Sequence, residues 1–253
     1  MTMHYRVDGP DDAPMLVLSN SLGTDVELWS RNVEHWTESF RVLRYDLRGH
    51  GGSPLSAEPF GVDVLGRDVL ELLDELGIAR VSFCGLSLGG AIGQWLAVHA
   101  PDRIDRLVLA CTTARFGDPE QWIERARKVR AEGLEPIADS VLARWFTREL
   151  PEPDVASFRE MLLSTSAEGY AATCDALARW DFRDRVGEVE APTLLVFGAQ
   201  DTVTSPSDIE VLAGGIPGAR VVILEGAAHL ANVERPAAFA AAVGEHLALQ
   251  EAA

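Results

Sequence analysis

The stretch Gly85-Leu86-Ser87-Leu88-Gly89 sets a serine in the pattern G-x-S-x-G. The run Arg80–Cys84 before it reads as a strand, and Gly90–His99 after it reads as a helix that begins with small residues. A serine on so sharp a strand-to-helix turn holds its Oγ out of the sheet, and side chains at the flanking glycines would clash. The same five letters occur in ordinary Gly/Ser loops; the strand before and the helix after mark a nucleophile elbow. A hydroxyl attacks at neutral pH only beside a base, which must itself be oriented by an acid. Both partners follow in the order Ser, Asp, His. Pro192–Gly198 is a buried-strand run that leads into Ala199-Gln200-Asp201, and Arg220–Leu224 leads into Glu225-Gly226-Ala227-Ala228-His229. Both side chains then stand on loops past the C-terminal ends of strands, where open α/β sheets place their sites.

Each assignment has a plainer competitor. Asp201 could be a solvated turn or a helix cap, but Asp208 is placed to cap the next helix. Asp181 and Asp184 are competing acids at the end of an inserted segment. Of the six histidines (4, 35, 50, 99, 229 and 246), His50 and His229 fall on loops after strands, and His50 precedes Ser87. The oxyanion of an acyl-transfer intermediate needs two backbone N–H donors. Leu88 supplies one as the residue after the nucleophile. Leu22, in the Ser19–Gly23 loop after the strand Met15–Leu18, supplies the other.

The elements that position these groups can be read from periodicity. Residues 1–7 alternate as an edge strand and turn at Asp8–Asp11. Trp29–Phe40 reads as a helix and Arg41–Tyr45 as a strand. Asp46–Ser53 is glycine-rich but lacks a Gly-Lys-Ser/Thr ending, so it reads as a structural turn and not a phosphate cradle. Val62–Leu76 carries an apolar stripe at 62, 65, 69, 72, 73 and 76, closed by Gly77. Ile104–Ala110 is a further strand. This strand–helix rhythm predicts an α/β fold, a mostly parallel sheet with helices on both faces. The rhythm stops after Cys111. Helices are expected at Trp122–Arg130, Glu135–Arg148, Val155–Leu163 and Gly169–Trp180, and strands return at Thr193. The organisation is therefore a core of residues 1–111 and 186–253 with a helical cap, 112–185, above the edge of the sheet that holds Ser87. A cap there shapes substrate choice and excludes water; the plain alternative is an appendage without function.

At 253 residues, 47% of them hydrophobic, the chain suits one domain with an insertion. Its net charge of −17 disfavours nucleic acid and anionic membranes as partners. Cys84, Cys111 and Cys174 lack motif spacing and read as buried thiols in a reducing compartment, with no disulfide framework and no metal site. No dinucleotide fingerprint or His/Cys/Asp cluster at ligand spacing is present, so no cofactor is expected. The N-terminal residues lack the apolar core of a signal peptide, and no apolar run reaches the length of a membrane span, which points to the cytoplasm.

Six segments carry a family resemblance: Ser19–Thr24, Tyr45–Gly51, Gly85–Leu96, Arg144–Thr147, Gly169–Cys174 and Ala227–Glu234. The elbow and triad resemble the α/β-hydrolase superfamily over nearly the whole chain. The Asn-Ser-Leu-Gly loop and the cap text are similar to 3-oxoadipate enol-lactonases. That resemblance implies hydrolysis of an enol-lactone to 3-oxoadipate in bacterial breakdown of aromatic compounds. Competing activities for the same triad are a general carboxylesterase, a perhydrolase or a C–C bond hydrolase. A non-enzymatic competitor is a ligand-binding receptor that keeps the fold. The implied substrate is a small anionic lactone, which a chain of this charge repels at long range. Arg144, beside Trp145 in the family-like Arg-Trp-Phe-Thr stretch, is the candidate to grip its carboxylate, with the indole as a wall. The plainer reading is a solvated arginine and a core tryptophan. Oligomeric state is not legible.

Overall fold

The computed structural model describes residues 3–55 and 58–248. Strands β1 (Tyr5–Asp8), β2 (Met15–Ser19) and β3 (Arg41–Tyr45) come first, then α1 (Val62–Glu75), β4 (Val81–Leu86), α2 (Leu88–His99) and β5 (Ile104–Ala110). Four helices follow without a strand: α3 (Pro119–Glu132), α4 (Glu135–Trp145), α5 (Glu152–Ser164) and α6 (Ala167–Ala178). The chain then returns to β6 (Thr193–Gly198), α7 (Pro206–Gly215), β7 (Arg220–Leu224), α8 (Ala231–Glu234) and α9 (Pro236–Ala248). Residues 1 and 2 of the expected edge strand lie outside the described residues.

The seven strands form one sheet in the order β1-β3-β2-β4-β5-β6-β7, parallel except for β1. The sheet is the α/β architecture expected from the alternating runs. Strand β4 is buried at every position, as a strand covered on both faces must be. The register aligns Leu18 with Cys84, Cys84 with Val108 and Val108 with Leu194. The C-terminal ends of β2, β4, β5 and β6 therefore stand side by side. The chain winds one way from β2 to β3 and the other way from β4 onward, so the crevice opens between the loops after β2 and β4.

Local chemistry fixes the loops around that crevice. The Asp46 carboxylate accepts Val26 N and Gly52 N, each at 2.8 Å, and meets His4 Nδ1 at 2.7 Å. The glycine-rich loop is thus folded around its own acid, as a structural turn. Gly49 in that loop and Gly169 of α6 pack backbone to backbone, and a Cβ on Gly169 would strike the Gly49 carbonyl.

Two expected helices differ from the structure. Trp29–Phe40 forms turns and two short 3₁₀ segments, Val26–Trp29 and Val33–His35. Here tertiary bonds hold the side chains one by one: Trp29 Nε1 donates to Asn20 Oδ1, Asn32 Nδ2 to Asn232 O, and Trp36 Nε1 to Ala240 O. Helix α4 stops at Trp145 and not Arg148, because Phe146 is extended and the Trp145 carbonyl is taken by Leu230 N at 3.0 Å. Asp208 serves α7 from its third position, in a reciprocal capping box with Ser205.

Candidate active site

Ser87 sits between β4 and α2 with φ +56°, in the left-handed region that a non-glycine residue enters only under constraint. The constraint is visible on both sides. A Cβ on Gly85 would collide with the Gly89 carbonyl, and one on Gly89 with the Ser19 carbonyl. The backbone is pinned by Ser87 N donating to Ala110 O at 2.8 Å and by Thr112 Oγ1 donating to Ser87 O at 2.6 Å. Neither Leu22 N–H nor Leu88 N–H finds a protein acceptor among the described residues, although Gly89 N in the first turn of α2 donates to Asn20 O.

Asp201 and His229 meet as the sequence suggests. His229 Nδ1 lies 2.9 Å from Asp201 Oδ2, and the two side chains are 3% and 1% exposed. The carboxylate is held on every side: Oδ1 accepts Val203 N and Thr204 N, and Oδ2 accepts Thr204 Oγ1 at 2.6 Å as well as the imidazole. Burial alone would raise this carboxyl. The His229 charge, the hydrogen bond from His229 and those from Thr204 and Val203 outweigh it, so the group titrates below its ordinary 3.8. Asp181, the competing acid, is an exposed partner of Arg183. His50 is buried with Nδ1 on the Arg48 carbonyl, and desolvation drives its pKa down to about 4.

Ser87 and His229 line one cavity of about 190 Å³, smaller than the ~300–1,000 Å³ usual for drug-sized ligands. Leu22, Arg144 and Trp145 line it too, whereas Leu88 and Asp201 are not among its lining residues. Helix α3 contributes Trp122 and Arg125 and helix α6 contributes Tyr170 to the same walls, and these the sequence reading missed. Trp122 and Arg125, one turn apart on α3, were the available signal.

Cys111 was read as a buried hydrophobe. It is buried, but it also takes φ +43° and brings Sγ together with the Asp201 and His229 side chains, all ligand-type atoms within 4.8 Å of one another. Burial first, then the Asp201 charge, push this thiol well above its usual range, so it is a neutral neighbour of the pair.

These features define a serine on a strained strand-to-helix turn, with an acid–histidine pair, at the edge of a parallel sheet. A family model described as alpha/beta hydrolase fold matches residues 14–236. The chain belongs to the alpha/beta hydrolase family. It is 41% identical over 246 residues to 3-oxoadipate enol-lactonase 2 of Acinetobacter baylyi, covering 96% of this chain and 92% of that one. The crystal structure of the enol-lactonase from Burkholderia xenovorans superposes with a TM-score of 0.95 at 44% identity, over 98% of this chain and 96% of that one. A thermophilic esterase from Thermogutta terrifontis, solved with malate bound, gives a TM-score of 0.90 at 28% identity, over 97% and 92%. The likeness agrees with the fold, the hydrolase reading and the resemblance drawn from the sequence.

Proposed function

We propose that this enzyme opens 3-oxoadipate enol-lactone to 3-oxoadipate, as a step in the catabolism of aromatic compounds. The observation that carries the chemistry is the Ser87 elbow facing the same cavity as a His229 held by Asp201. The choice of lactone rests on the likeness to the two enol-lactonases. Ser87 Oγ attacks the lactone carbonyl while His229 Nε2 takes its proton. Asp201 keeps Nδ1–H oriented and balances the imidazolium. The N–H groups of Leu22 and Leu88 hold the oxyanion. The ring C–O bond then breaks, and the enolate takes the proton back from the His229 imidazolium and tautomerises to a ketone that remains tethered through the acyl-enzyme. Water, deprotonated by His229, attacks the ester carbonyl and releases the dicarboxylate.

In this reading residues 1–111 and 186–253 are the hydrolase core and 112–185 the cap, which supplies Arg144 and Trp145 to the substrate. Arg144 is half-buried and has no carboxylate partner among the described residues. The reaction needs no metal or organic cofactor, no nucleic acid and no membrane. No described helix is long and apolar enough to cross a bilayer. We place the enzyme in the cytoplasm. Side-by-side rates on the enol-lactone, p-nitrophenyl acetate and a vinylogous diketone test the assignment. The enol-lactone should be turned over fastest by a wide margin; preference for either of the others would reassign the enzyme as an esterase or a C–C bond hydrolase.

A further inference from the structure

The ionisable groups on the wall of the Ser87 cavity are Asp118, Arg125, Arg144, Tyr170 and His229. Asp118 is engaged at the start of α3, where its Oδ1 accepts Glu120 N at 3.1 Å. Neither Arg125 nor Arg144 forms an ion pair with a carboxylate among the described residues. Most other arginines of this chain, with its 39 acidic and 22 basic residues, are ion-paired. The partners Arg125 does have are neutral: its guanidinium lies 4.8 Å over the Trp122 ring, and its charge favours the ionised form of the buried Tyr170 hydroxyl on the same wall. Arg144 approaches the same tyrosine from α4, and its guanidinium is destabilised first by burial and then by the Arg125 charge. Two like charges converge on one small cavity, and neither is ion-paired there; Asp118, the one carboxylate on the wall, caps α3 instead. A ligand carboxylate would relieve both, since its two oxygens can each accept from a guanidinium fork.

We infer that Arg125 and Arg144 form a single carboxylate subsite in the cavity that holds Ser87, and that the enzyme selects small acyl compounds with a free carboxylate remote from the scissile carbonyl. Arg125 is thus a second specificity-determining residue, preset by Trp122 and Tyr170. The inference rests on the hydrolase reading above and deepens it, since it concerns any carboxylate-bearing ester and not the enol-lactone alone.

The test uses monomethyl adipate, which carries one free carboxylate and one ester, against dimethyl adipate, which carries none. For the wild-type chain kcat/KM should favour the monoanion by at least about tenfold, the scale of a hydrogen bond to a charged group. Arg125→Gln and Arg144→Gln should each lower that ratio about tenfold or more. Because both grip one carboxylate, the double variant should lose less than the product of the single losses. Arg125→Lys, which keeps the charge without the fork, should fall between, and it stands in if the Gln variant fails to fold. Calorimetric binding of adipate gives a readout without turnover; either substitution should weaken it about tenfold or more. A wild-type ratio near one, or equal losses on both esters in Arg125→Gln, overturns the subsite. If neither ester is hydrolysed while the enol-lactone is, adipate binding alone decides: weakening in both variants supports the subsite, and unchanged binding overturns it; if the lactone too is left intact, the hydrolase reading is at fault.

Discussion

Glu234 holds Thr147 across the gap between two separate parts of the chain. One carboxylate oxygen accepts both Thr147 N at 2.9 Å and Thr147 Oγ1 at 2.6 Å. The other accepts Ala228 N at 2.6 Å, one residue before His229. With Leu230 N on the Trp145 carbonyl, this side chain ties the end of α4 to the histidine loop. Glu234→Ala leaves buried N–H groups without acceptors, which should cost about 2–4 kcal/mol in a denaturant titration. It should also lower kcat more than it raises KM, because the imidazole loses its register. Glu234→Gln keeps an acceptor on one side only and should fall between. Equal kinetics in all three would show that the tie has no bearing on the site.

The Asp201 carboxyl titrates below 3.8, so it remains ionised across the range in which an imidazole gains and loses its proton. Activity should therefore rise with pH through one ionisation, that of His229, whose neutral form takes the serine proton. Asp201→Asn should lower kcat by about 10⁴, as loss of the orienting carboxylate does elsewhere, whereas Asp181→Asn should not. A flat rate between pH 5 and 8, with chemistry rate-limiting, would remove His229 from the role of base.

Acid should destabilise the fold through a different histidine. Buried His50 has its pKa lowered from 6.5 to about 4 by desolvation. Its folded-state value is depressed, so the unfolded chain binds the proton first as pH falls. The associated stability is complete above pH 6.5 and is lost between there and about pH 4. The loss should approach about 3 kcal/mol, from a shift of roughly two units or more at 1.36 kcal/mol each. His50→Gln should flatten unfolding midpoints over this interval whatever it does at neutral pH. An unchanged slope would place the titrating group elsewhere.

Cys111, Asp201 and His229 offer three ligand atoms, yet their bonding suits proton transfer better than a metal. The thiol is held neutral by burial, and both Asp201 oxygens are already occupied by backbone, hydroxyl and imidazole donors. Prolonged chelation should leave the rate unchanged, and iodoacetamide should leave Cys111 unmodified in the folded protein. Activity lost to a chelator and restored by zinc would sink the serine mechanism.

The placement of Ser87, Asp201 and His229 was legible because each stands at the end of its own strand and carries its signal in neighbouring residues. The sheet was legible for the same reason: β2, β4, β5 and β6 are short apolar runs closed by turns. Trp29–Phe40 was misread because its tryptophans and Asn32 are held by partners more than 190 residues away in two cases, and such contacts leave no local period. Arg125 and Glu234 escaped on the same physical ground. Arg125 gains its setting only because α3, α4 and α6 bring it to the same cavity wall as Arg144 and Tyr170, and Glu234 its partner only because the fold brings it to Thr147, 87 positions earlier in the chain.

The most direct measurement follows loss of enol-lactone absorbance with purified wild-type and Ser87→Ala protein under identical conditions. The wild-type chain should clear the lactone at a rate typical of an enzyme, and Ser87→Ala should retain its fold and lose about 10⁴-fold or more in kcat. Turnover in Ser87→Ala above about a tenth of the wild-type rate, well outside the losses typical of a missing triad member, would contradict Ser87 as nucleophile. No clearance by the wild-type chain would contradict the enol-lactone as its substrate.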